Sequence, residues 1–75
     1  MNNVFGTRLK QKRLQKGLTR PALSNMTGVA VNTIGSAENG NCMPMLYTAL
    51  VLAEAFDVSL DWMVGRTDNE QAHKK

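Results

Sequence analysis

Asp57 and Asp61 stand four residues apart, a spacing at which two carboxylates share a helical turn and could divide acid and base roles. Their simpler reading is a cap and a solvated face. The only histidine, His73, falls in a polar terminal stretch. The only cysteine, Cys42, has no second thiol for a disulfide and no internal histidine for a zinc set. The chain shows no glycine-rich phosphate loop and no cluster of metal ligands. These residues imply neither an enzyme nor a cofactor, metal or small-molecule ligand. What remains is charge. Within residues 1–40, Arg8, Lys10, Lys12, Arg13, Lys16 and Arg20 stand against Glu38 alone, six cations to one anion and a net +5. Residues 41–75 carry three cations and five anions, a net −2. A polyanionic partner would meet the N-terminal half, although a basic helix by itself is more often a solvated face.

Seventy-five residues allow one domain around one small core. Only Phe5, Tyr47, Phe56 and Trp62 are aromatic, so Leu, Val, Ile, Met and Ala must build that core, as in a small helical bundle. No apolar run approaches the ~18–20 residues that span a bilayer. The opening MNNVFGTRLK lacks the charged-then-apolar order of a signal peptide. With the single cysteine, this implies a cytoplasmic location and no membrane partner.

The periodicity predicts five short helices. The first runs from about Asn3 to Lys16, capped by Asn2 or Asn3, with Phe5, Leu9 and Arg13 on one face and Gly17 as its stop. The second begins after Thr19, an N-cap, with Pro21 in its first turn and Leu23 facing the core. Gly28 supplies a sharp turn into the third, from Ala30 or Val31 to Glu38, with Ile34 inward and Val31 or Ala37 beside it. Gly35 is a poor residue for a helix interior and suggests close approach of another helix or of DNA, unless it is merely tolerated. The fourth, about Met45 to Phe56, places Leu46, Leu50, Ala53 and Phe56 on one face. Ser59 caps a fifth from Leu60 to Val64, ended by Gly65, with Trp62 anchoring it in the core.

Within this order, residues 17–40 read GLTRPALSNMTGVAVNTIGSAENG: two helical patterns around a tight glycine turn, closed by Glu38-Asn39-Gly40. Two helices so joined form a helix-turn-helix, whose second helix lies in the DNA major groove. The pattern implies a small all-α DNA-binding domain over residues 1–66 and a polar, flexible tail over 67–75.

The chain resembles the lambda-repressor-like helix-turn-helix family of phage repressors, Cro proteins and related small bacterial regulators. The resemblance runs from Val4 to Asp68. It is carried by Arg8-Leu9, Arg13, Gly17-Leu18-Thr19, Leu23, Thr27-Gly28-Val29, Thr33-Ile34 and Glu38-Asn39-Gly40, then Ala53 and Val58 through Gly65. It implies an Arg13–Glu38 ion pair close to the DNA backbone. It also implies base contacts from the start of the third helix, at Val31, Asn32, Thr33 and Ser36. Asn32 offers a donor and an acceptor that match adenine N6 and N7, and Thr33 and Ser36 can bond a base or a phosphate. Val31 would meet a thymine methyl or serve as a partly buried core residue. Phosphates would meet Thr19, Arg20, Arg13, Asn39 and Asn41, beside the positive end of the second helix.

Two departures stand out. Arg20 occupies a place where the family often has glutamine, and Gly35, Ser36 and Ala37 are smaller than usual. The third helix thus sends no arginine, lysine or glutamine into the groove. Guanine readout from it is not expected, and specificity would rest on Asn32, methyl contacts and DNA shape. The resemblance implies a sequence-specific regulator of double-stranded DNA, most simply a repressor acting as a homodimer on a palindromic operator. Tyr47, Val51 and Val58 would form the dimer patch, or else be scattered surface apolar residues or satellite core. A phage regulator, a restriction–modification controller and an antitoxin all fit. The alternative of another class is a protein-interaction module that keeps the fold with weak or nonspecific DNA binding.

Overall fold

A computed structural model of the protein describes residues 3–72; the Asn2 cap and His73 lie outside the described residues. Five helices follow one another: α1 (Val4–Gln15), α2 (Arg20–Thr27), α3 (Val31–Asn39), α4 (Leu46–Ala55) and α5 (Leu60–Met63). Every regular element among the described residues is a helix. The fold is the expected all-α bundle.

Local chemistry sets the boundaries of α2 and α3. The Thr19 hydroxyl accepts from the Ala22 amide at 3.2 Å, and Pro21, which has no N–H to lose, sits in the same first turn. Gly28 ends α2 at φ +76°, a left-handed conformation that costs a side chain-bearing residue about 1 kcal/mol or more. The Thr27 hydroxyl locks this turn from both sides, donating to the Leu23 carbonyl and accepting from the Val29 amide. The start of α1 differs from expectation. Asn3 makes no side-chain cap there; its Nδ2 donates 3.1 Å across to the Glu38 carbonyl and ties α1 to the end of α3.

The core draws on every helix: Phe5 and Leu9 from α1, Leu23 from α2, Ile34 and Ala37 from α3, Leu52 and Ala53 from α4, and Trp62 and Met63 from α5. Helix α1 packs on α3 and α5, α2 on α3 and α4, and α4 on α5. At Gly6 the α1–α3 contact is so close that a Cβ would collide with the Ala37 carbonyl oxygen.

The buried face of α4 corrects the sequence expectation. Ala49, Leu52 and Ala53, followed by Phe56, face the core. Leu46 and Leu50 are 73% and 40% exposed. The sequence LYTALVLAEA is apolar nearly all round, so periodicity fits more than one face. Small side chains at Ala49 and Ala53 let neighbouring helices approach, and the large leucines are left outside.

Candidate nucleic-acid interface

The turn between α2 and α3 lays Arg20, the first residue of α2, against Gly35 in the middle of α3. Asn32 and Val31 are exposed at the first turn of α3, with Thr33 and Ser36 half-buried beside them. Asn32, Thr33 and Ser36 share a shallow cleft of about 170 Å³ with Cys42 and Pro44. Val31 is at the surface and Ala37 in the core, so Ala37 is the residue that packs beside Ile34. Thr19, Asn39 and Asn41 are exposed, the last two flanking Gly40 at the end of α3.

Behind this surface lies a charge cluster. The Glu38 side chain is fully buried and receives three guanidinium donors. Arg13 Nε donates to Oε2 at 2.6 Å and Arg13 Nη2 to Oε1 at 3.0 Å, a bidentate pair. Arg20 Nε donates to the same Oε1 at 3.1 Å. Arg13 Nη1 donates to the Leu18 carbonyl at 2.8 Å, joining the α1–α2 connection to the cluster. Hydrogen bonding to Glu38 raises the pKa of Arg13 above the ordinary arginine range, aided by their charge attraction and opposed by burial. The charge of Arg13 is therefore fixed.

Two other cations of α1, Arg8 and Lys12, point elsewhere. Arg8 donates to the carbonyls of Trp62 and Thr67 and pairs with Asp68 at 3.2 Å. Lys12 pairs with Glu70 at 2.7 Å. Both lie over the Trp62 ring, at 4.7 and 5.3 Å from its centroid. The polar segment after Gly65 is likewise engaged: the Ser59 amide donates to the Glu70 carbonyl, and Gln71 Nε2 to that of Asp57. The basic N-terminal half is thus partly neutralised by the acidic C-terminal one.

The sequence model of the helix-turn-helix family matches residues 9–63. The chain belongs to this helix-turn-helix family. Over 66 residues this family member is 36% identical to an uncharacterized HTH-type transcriptional regulator, YobD of Bacillus subtilis (strain 168). The match covers 88% of this chain but only 59% of that protein, so the chain spans about three fifths of the curated relative's length. The crystal structure of the restriction-modification controller protein C.AhdI from Aeromonas hydrophila is similar at a TM-score of 0.73 and 32% identity. That similarity covers 81% of this chain and 94% of the controller. The part of the protein described is accordingly a helix-turn-helix domain of the kind found in transcriptional regulators. Among the described residues no helix is long and apolar enough to cross a membrane.

Two expected site residues change place. Val58 is 4% exposed and belongs to the core, so it cannot contribute to a dimer patch. Its position after α4 hid this, because the chain there turns back through Asp57 at φ +56° and no helical face applies. Arg13 is buried, and each of its three guanidinium nitrogens donates inside the protein, which places it behind the surface rather than on it. Sequence reasoning missed the Arg20–Glu38 bond and the Asn3 tie. The available signal was Gly35, small and three residues before Glu38 on the same helix.

Proposed function

We propose that this chain binds double-stranded DNA sequence-specifically through α3 in the major groove and represses transcription from a palindromic operator as a homodimer. The observation that carries the reading is the convergence of Asn32, Thr33 and Ser36 on one surface at the head of α3, backed by the Arg13–Glu38–Arg20 cluster. Asn32 reads adenine, Thr33 and Ser36 bond base or phosphate, and Val31 meets a thymine methyl. Thr19, Asn39 and Asn41 meet the backbone, while Arg13 only positions its neighbours. The similarity to a transcriptional regulator and to a restriction-modification controller supports action at a promoter. Occupying a promoter suffices for repression and needs no further surface. The exposed single thiol of Cys42 suits a reducing cytoplasm.

Size argues for two copies. The longest dimension is 28 Å, whereas half-sites in this mode of binding lie about 34 Å apart. The dimer surface is the outer face of α4, where Tyr47 and Val51 are joined by Leu46 and Leu50. Exposed large apolar side chains on one helix mark a contact surface better than scattered ones do.

Genomic fragments selected on the immobilised protein, then titrated against a scrambled duplex at two salt concentrations, test the reading. A recurrent palindrome bound far more tightly than the scramble is expected. Equal, weak binding to both would sink it and favour a protein-interaction role, for which the same α4 face is the observation.

A further inference from the structure

Gly35 lies buried in the middle of α3, where glycine is a poor helix former. A Cβ built there would meet one neighbour only: Arg20, with Nη1 at 3.3 Å, Cζ at 3.7 Å and Nε at 4.0 Å. The missing side chain is therefore a slot, and the guanidinium of the first residue of α2 lies in it. Nε of Arg20 is anchored on Glu38 Oε1, itself buried and held by Arg13. The Arg20 side chain remains 34% exposed, and no described residue accepts from its Nη atoms. One edge of the fork is tied into the protein, and the other is left open.

This places a cation on the surface of α3, one turn beyond Asn32 and next to Ser36, although α3 itself (VNTIGSAEN) has no arginine, lysine or glutamine. Guanine O6 and N7 can accept from arginine or lysine, but only the arginine fork can be tied to Glu38 through Nε and still present two Nη donors at fixed separation; a lysine has one nitrogen for both tasks. A phosphate contact would require neither the slot nor the anchored Nε, since a mobile side chain satisfies it. Fixing the fork in advance removes the rotamer cost of binding. We propose that Arg20 reads a guanine in the major groove, carried across from α2 over Gly35 and aimed by Glu38. The inference rests on the sequence-specific binding proposed above.

The test is selection from a randomised duplex library with the wild-type protein, Arg20→Gln and Arg20→Lys, each first shown to melt cooperatively. The wild-type consensus should contain a guanine favoured over other bases by roughly tenfold to a hundredfold. Both variants should lose that preference alone while keeping the rest of the motif. Replacing that guanine by 7-deazaguanine, which lacks the N7 acceptor, should weaken wild-type binding and leave both variants unaffected; this arm requires no change to the protein. An unchanged motif in the variants, or a motif without guanine, overturns the role of Arg20 and leaves the proposed function standing. No motif for the wild type overturns both.

Discussion

Glu38 holds three donors from two other parts of the chain, so its removal separates fold from interface more sharply than any contact residue would. In Glu38→Gln the shape survives, but Arg13 stays buried without a counter-ion and the new amide points N–H groups at a guanidinium. Breaking a buried pair by removing one partner costs roughly 3–5 kcal/mol, a large share of the total for so small a domain. At about 4–8 °C per kcal/mol, Tm should fall by well over about 10 °C, read by thermal melting. A fall of only a degree or two would show that the cluster contributes nothing to stability. The Arg13–Glu38 partnership entered through family resemblance, since charges 25 positions apart have no periodicity to connect them. The third member was signalled by Gly35 alone, for a physical reason. Arg20 reaches Glu38 only because Gly35 leaves room, and neither fact has meaning until α2 crosses α3.

At the level of elements, the turn and cap residues of α2, α3 and α5 were legible because their chemistry is local: Thr19, Pro21, Gly28 and Ser59 act within four residues of themselves. The face of α4 was not, because an almost wholly apolar helix is oriented by what packs on it. Leu52 is fully buried and Leu46 largely exposed, which separates the two possible orientations. At dilutions where the chain is monomeric, Leu52→Ala should cost about 2–5 kcal/mol of unfolding free energy in urea, whereas Leu46→Ala should stay within about 0.5 kcal/mol. Equal costs would mean that α4 is rotated from the orientation described. Gly6 offers a second check on packing. Alanine there should favour an isolated helix, yet the Cβ collides with the Ala37 carbonyl oxygen, a backbone atom that cannot swing away. The expected net result is destabilisation by about 1–3 kcal/mol. An unchanged or higher Tm would show that α1 and α3 can part at little cost.

Across the whole molecule, the +5 of the first 40 residues overstates what DNA would meet. Arg8, Lys12 and Arg13 are engaged by Asp68, Glu70 and Glu38, and Arg66 lies 3.9 Å from Asp61. Lys10, Lys16 and the open edge of Arg20 remain among the described residues. Two or three phosphates neutralised per protomer give a dimer a slope of roughly −4 to −5 in log K against log salt, at about −0.9 for each phosphate. The assignment of charges makes this specific. Lys12→Met should leave the slope unchanged and lower Tm, because its charge serves Glu70 and the Trp62 ring. Lys16→Met should leave Tm nearly unchanged; if Lys16 meets phosphate, it should flatten the dimer's slope by about 2, one phosphate from each protomer. Equilibrium titration of one duplex across a range of salt concentrations, run beside thermal melts, measures both quantities. A flatter slope for Lys12→Met would mean that α1 presents its cations to DNA and that the pairing with the C-terminal segment yields on binding. The fold would then hold its charges in a different arrangement from the one that acts.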